Sequence, residues 1–393
     1  MAKSKIPNLQ KYGIPFYAAA WAPYKEISSK LISKADDNDD RPSGESSSVG
    51  DGISSQNSAQ HFVVLAGGGG EGHNGIPNAV VLSLFDFASN SLSPPVAKLG
   101  FGSDLPYRMV VHPGGDGVIC AFPNSCKFYK WEEVKDCGTN ELGLNLRQLQ
   151  DKGQQLALTF NSEGSVLAVG GEDGNLRVFK WPSMEIILDE AEAHTSVKDL
   201  CFSPDGKFLV SLGSRGPGRV WDMSSTTVVA SLSKENDEVF ASCRFSQNSE
   251  KNQVLFIAAI TGKGGSILTW NTSSWKRMSS KHVVKEPASS FDVSPDGKHL
   301  AIGTIQGDVL LVNSTDMRVQ MMVRKAHLGI VTALRFSHDS RALVSASMDS
   351  SARVTLVKDK KSGGLSWLII TLIIILAIAV YILKNEGLIP PVA

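Results

Sequence analysis

Six glycines fall within nine residues in the run Gly67-Gly68-Gly69-Gly70-Glu71-Gly72-His73-Asn74-Gly75, which continues into Ile76-Pro77-Asn78. Glycine lets main-chain carbonyls and amides turn toward one point, so such a stretch can build an ion- or partner-binding loop as well as a slack hairpin tip. The chemistry open to it is narrow. Gly67 and Gly72 keep the outer spacing of a phosphate-binding loop, but His73 and Asn74 stand where Lys and Ser or Thr are needed, and no helix signal follows. No ladder of alternating Asp and Asn supports calcium. What remains is a set of carbonyls suited to a weakly hydrated monovalent cation. Ile76, Pro77 and Asn78 are expected to face outward for a partner, since an exposed Ile before a Pro is costly unless something covers it. An Asn78 folded inward would count against that arrangement.

Other reactive residue types form no comparable group. Asp173-Gly174, Asp205-Gly206 and Asp296-Gly297 recur at regular turn positions, where Asp-Gly supplies hairpin geometry rather than catalysis. His194 and His327 occupy equivalent places in two repeats, which assigns them to a buried hydrogen-bond network. The five cysteines (Cys120, Cys126, Cys137, Cys201, Cys243) are scattered, lack CxxC pairing and are expected as buried apolar groups of a reducing compartment. Lys+Arg and Asp+Glu are equal at 39 each, so no global basic field points to nucleic acid.

The glycine run must be positioned by the strand-like segments on either side, His61-Phe62-Val63-Val64-Leu65-Ala66 and Ala79-Val80-Val81-Leu82-Ser83-Leu84-Phe85. These belong to a repeat. Phe160-Asn161-Ser162, Phe202-Ser203-Pro204-Asp205, Phe245-Ser246-Gln247-Asn248, Val293-Ser294-Pro295-Asp296 and Phe336-Ser337-His338-Asp339 follow one another at intervals of 42, 43, 48 and 43 residues. Turns at this spacing, between short apolar and β-branched runs, predict WD repeats of about four strands per unit. Val111-His112-Pro113-Gly114-Gly115-Asp116-Gly117 and Ala20-Trp21-Ala22-Pro23 extend the count to seven. The expected fold is all-β: a seven-bladed propeller over residues 1–357, with the glycine-rich loop (67–78) in its first blade. A polar, acidic segment at 24–60 is expected as a disordered insertion in that blade, being unable to bury enough apolar surface to order itself.

Residues 365–383 carry no charge, with Trp367 and Tyr381 near the two ends. At about 1.5 Å per residue they reach roughly 28 Å, close to the hydrocarbon thickness of a bilayer, so a single C-terminal transmembrane helix is expected. Lys358, Lys360 and Lys361 precede it and only Lys384 follows, which places the N-terminal bulk in the cytosol and a short tail, 384–393, in the lumen.

A WD-repeat propeller, a Gly-Gly-Gly-Gly-Glu-Gly-x-Asn-Gly-Ile-Pro-Asn loop in its first blade and a C-terminal anchor together resemble the endoplasmic-reticulum exchange factors for the Sar small GTPase. Tyr12-Gly13-Ile14-Pro15-Phe16-Tyr17-Ala18 is similar to that family's opening strand, and the acidic insertion is similar to its plant branch, the SEC-twelve-like proteins. The resemblance implies potassium bound through main-chain carbonyls of Gly67, Gly68, Gly69, Gly70, Glu71, Gly72, Asn74 and Gly75. It implies that Ile76, Pro77 and above all Asn78 engage the GTPase and promote GDP release, with no bond made or broken, to start COPII coat assembly and transport from endoplasmic reticulum to Golgi. The alternative is a non-catalytic adaptor aiding exit of membrane transporters, such as phosphate transporters, from the endoplasmic reticulum.

Overall fold

Runs such as Val63-Val64-Leu65-Ala66 and Leu167-Ala168-Val169 have no polar alternation and are almost fully inaccessible. Strands of this kind are covered on both faces, which in this chain follows from sheets stacked side by side around an axis. The computed structural model of the chain describes residues 6–22, 60–72, 75–131, 143–235, 237–246, 253–357 and 365–385, with side chains of the last segment described over 371–382. Seven four-stranded antiparallel sheets account for the strands. Blade 1 orders Phe16–Ala22, Gln60–Gly67, Ala79–Asp86 and Ser91–Gly100 from inside to outside. Blades 2 to 6 repeat this order, starting at Arg108, Gln155, Val197, Val239 and Ala288. Blade 7 takes three strands from Val331–Phe336, Ala342–Ser347 and Ser351–Leu356, and its fourth from the other end of the chain.

That fourth strand, Leu9–Lys11, pairs antiparallel with Ser351–Leu356, Leu9 facing Arg353 and Lys11 facing Ser351. It closes the ring, and the sequence repeat did not announce it. Closure is reinforced by packing of Phe16, Trp21, Leu65 and Val81 against Val344 and Val354. Trp21 Nε1 also donates to the Arg335 carbonyl at 2.9 Å. A closed ring leaves no long unpaired edge to template aggregation.

The recurrent turn residues serve the scaffold as expected. Ser203 Oγ donates to Asp205 at 2.6 Å and accepts the Phe208 N–H, and the same geometry recurs at Ser294/Asp296 and Ser337/Asp339. His194 is buried, its Nε2 2.8 Å from Ser211 Oγ, which also accepts from Trp221 Nε1. His327 bridges Ser351 and Ser345, each at 2.7 Å. Burial tends to raise the Asp349 carboxyl pKa, yet hydrogen bonds from His327, Ser351 and the Leu328 N–H hold it well below the ordinary range. Cys120, Cys126 and Cys243 are buried and Cys201 half-buried, all as free thiols. Cys137 lies outside the described residues.

Burial, with a smaller contribution from Arg219, pushes the His194 imidazole down to about 4. The unfolded chain, whose histidine titrates near its ordinary 6.5, then binds the proton more readily than the folded one. Stability from this group is fully present above pH 6.5 and is lost as pH falls from there toward 4. The loss is at most on the order of 3 kcal/mol. Chemical denaturation of wild type and His194→Gln across this window is expected to show a steeper acid decline in wild type. Parallel profiles would refute the assignment.

Contacts divide the chain between Leu356 and Val357. The second unit contains helix α1 (Leu365–Asn385), two residues longer at its C-terminal end than the expected span. Leu372, Ile373, Ile374, Ile375 and Leu376 on it are each more than half exposed. Among the residues whose side chains are described, which in α1 are 371–382, no helix is long and apolar enough to cross a membrane. The expected insertion at 24–60 lies outside the described residues except for Gln60, which already belongs to a strand.

Candidate functional site

The glycine-rich loop joins the second and third strands of blade 1, whose ladder ends at the pair Gly67–Ala79. Its first two glycines are required by close packing. A Cβ on Gly67 would stand 2.0 Å from the Pro15 carbonyl oxygen, and one on Gly68 would stand 2.0 Å from Asn78 Oδ1. The Gly68 N–H donates to that same Pro15 oxygen at 3.0 Å, which ties the loop to the segment entering the blade. Further out, Gly70 and Gly75 adopt φ of +85° and +75°, conformations that other residues take only under strain. The loop is therefore a shaped element.

Its shape is set by Asn78. Asn78 Oδ1 accepts the Gly70 N–H at 3.0 Å, and Asn78 Nδ2 donates to the carbonyls of Gly70 at 3.1 Å and Gly102 at 3.0 Å. The Asn78 carbonyl accepts the Phe101 N–H at 2.9 Å. With 2% of its surface exposed, Asn78 does not face outward. The expectation that it presents its amide to a partner is corrected. A carboxamide carries an acceptor and two donors, and here it satisfies main-chain groups that a tight glycine loop would otherwise orphan at a cost of about 1–3 kcal/mol each. Ile76 and Pro77 are exposed, Ile76 by 36%, in keeping with the expected outward placement. Glu71, Gly72 and Gly75 are exposed as well, Gly69 is half-buried, and Asn74 and His73 lie outside the described residues.

Whether such a loop suits potassium depends on its donors. Two carbonyl oxygens, from Gly70 and Gly102, converge on one point, taken here by the partly positive Asn78 amide. Uncharged, hard oxygens in a turn of this kind fit an alkali cation in type, and each carbonyl keeps a second lone pair. Among the described residues no group of three His, Cys, Asp or Glu side chains could hold a metal ion.

The loop shares its face of the propeller with exposed apolar side chains that sequence reasoning missed. In an antiparallel blade, the turn between strands two and three lies on the same face as the loop entering strand one. Ile305 (40% exposed) and Met348 (43%) sit on such turns in blades 6 and 7, and Leu328 (77%) and Ile330 (39%) on the loop entering blade 7. The Tyr12 N–H donates to the Ser350 carbonyl and the Met348 N–H to the Ile330 carbonyl, linking these loops toward blade 1. Neither periodicity nor motif marks them, because each is a lone apolar residue in its own turn.

A groove of about 640 Å³ between blades 2 and 3 contains His112, Asp116, Ser165 and Trp181. His112 Nδ1 accepts the Gly114 N–H at 3.2 Å and Nε2 faces the Gly164 carbonyl at 3.0 Å, so both ring nitrogens are engaged with backbone.

The WD domain, G-beta repeat model matches residues 146–180, 187–223 and 318–355. Each of the last two matches begins at an outer strand and ends at the third strand of the next blade, so the sequence unit runs out of phase with the sheet. The chain is 52% identical over 366 residues to SEC12-like protein 2 of Arabidopsis thaliana, covering 92% of this chain and 91% of the relative. It is 31% identical to SEC12-like protein 1 of the same plant, covering 82% and 83%. It is 24% identical to guanine nucleotide-exchange factor SEC12 of Rattus norvegicus, covering 83% and 93%.

Proposed function

Because the chain belongs to the SEC12-like family of WD-repeat propellers, we propose that it is a guanine nucleotide-exchange factor for a Sar-type small GTPase, acting at the endoplasmic reticulum membrane to initiate COPII coat assembly and transport toward the Golgi. The observation that supports this most is the pairing of a pre-shaped loop with an exposed Ile76-Pro77 step, on a face bearing further exposed apolar residues. Ile76 and Pro77 touch the GTPase. Asn78, at the root, positions them. Nothing covalent is required: a surface that binds the nucleotide-free GTPase more tightly than the GDP-bound form lowers the barrier to GDP release. Helix α1, with its exposed Leu and Ile side chains, anchors the propeller in the bilayer, its C-terminal end lumenal.

Potassium, held through the carbonyls of the loop, would stiffen it by screening oxygens that face one another. Release of a fluorescent GDP analogue from purified Sar-type GTPase, with the full chain in detergent or vesicles, tests the proposal. The expected result is acceleration over the intrinsic rate. Unchanged release with folded protein would refute exchange and favour the adaptor reading. In the same assay, replacing potassium by sodium is expected to reduce the accelerated rate several-fold while leaving intrinsic release unchanged. Equal acceleration in both salts would remove the cation from the account.

A further inference from the structure

The innermost strands of all seven blades surround an axial channel of about 160 Å³, and its charge is unbalanced. Four cationic side chains line it: Arg108 from blade 2, Lys198 from blade 4, Arg244 from blade 5 and Arg335 from blade 7. Two carboxylates answer them, and both are committed to latching one blade to the next. Asp199 accepts Arg244 Nη1 at 2.7 Å, the Cys243 N–H at 2.8 Å and Ser242 Oγ at 2.5 Å. Asp292 accepts the Phe336 N–H at 2.8 Å and Arg335 Nη1 at 3.2 Å, with Arg244 Nε 3.5 Å away.

These latches leave cationic charge over. Arg108 donates from Nε to the Leu156 carbonyl at 2.8 Å and from Nη1 to the Tyr107 carbonyl at 3.1 Å, both neutral acceptors. Lys198 is exposed to the channel and makes no hydrogen bond or ion pair among the described residues. The Arg335 side chain is 41% exposed despite its place on the channel wall. Like charges gathered in a confined space are unfavourable without a counter-charge among them.

We propose that the channel binds a compact polyvalent oxyanion of the phosphate class. Arg108 and Lys198, which no carboxylate answers, and the exposed part of Arg335 arrive from three blades and match the several acceptor oxygens of such an ion. The channel is large enough for a tetrahedral oxyanion with a few waters. Free phosphate and the phosphate group of a small soluble metabolite offer the same chemistry.

Equilibrium dialysis of the full chain in detergent against radiolabelled orthophosphate, pyrophosphate and glycerol phosphate, at constant ionic strength in chloride, tests this. The expected result is saturable one-to-one binding of at least one of them. Tightest binding by orthophosphate or pyrophosphate identifies free ion as the occupant, and tightest binding by glycerol phosphate identifies the metabolite. Lys198→Met breaks no bond within the protein and is expected to weaken binding about tenfold, as is Arg108→Met. Lys281→Met, on the outer strand of blade 5, is expected to leave binding unchanged. Absence of saturable binding up to millimolar anion, or binding indifferent to both channel substitutions, would overturn the proposal.

Discussion

Ile76→Asp is expected to abolish accelerated GDP release while leaving the propeller folded, with a thermal shift far smaller than the loss of exchange. The side chain is 36% exposed in the isolated chain, so part of its apolar surface is open to a partner while the rest already packs within the loop. An anchor that acts as an interface hot spot costs about 2 kcal/mol or more when removed, about 30-fold in affinity or rate. A carboxylate in the same place adds the cost of burying an unpaired charge, so the loss should exceed that of Ile76→Ala. Accelerated release and thermal unfolding measured on the same preparations separate the two effects. Wild-type acceleration by Ile76→Asp would show that the partner does not touch this residue.

Asn78→Ala is expected to act differently, lowering both stability and exchange. It removes three hydrogen bonds at once and leaves the Gly70 N–H and the Gly70 and Gly102 carbonyls to find other partners around a loop already bent through two positive-φ glycines. A loss of roughly 1–3 kcal/mol follows from orphaning such groups. In a domain of this size that corresponds to a melting temperature lower by about 1–4 °C. Asn78→Asp sharpens the test. It keeps the acceptor for the Gly70 N–H but sets a carboxylate against two carbonyl oxygens, so it should do no better than alanine. If Asn78 acted by direct contact with the GTPase, either substitution would impair exchange without a thermal shift. A stable but inactive Asn78→Ala would therefore return the residue to the contact surface.

The residues that could be read in advance are those whose information is local. Turns such as Ser203-Pro204-Asp205-Gly206 recur because each blade needs the same carboxylate and hydroxyl bonds, and their spacing gave both the propeller and its seven units. Ile76 and Pro77 could be placed outward because they follow a glycine loop and precede a buried strand. Leu9–Lys11 could not be read as the closing strand, since three residues have no periodicity and their partner lies near the other end of the chain. Asn78 was misdirected because strand alternation stops at the ladder's end, and only coordinates reveal which main-chain groups a loop leaves unsatisfied. The channel cations were invisible for a related reason. They come from separate blades, one per strand, and a lone Arg or Lys in a strand does not disclose that its neighbours share its axis.

The proposed exchange activity rests on unequal grip, and that can be measured without turnover. Binding of the full chain, reconstituted in vesicles, to Sar-type GTPase is compared with the GTPase stripped of nucleotide and loaded with GDP. At least about a hundredfold tighter binding of the stripped form is expected, equivalent to some 3 kcal/mol of differential affinity, and Ile76→Asp should erase most of it. Equal affinity for the two forms, or no binding to either by folded protein, would contradict the account.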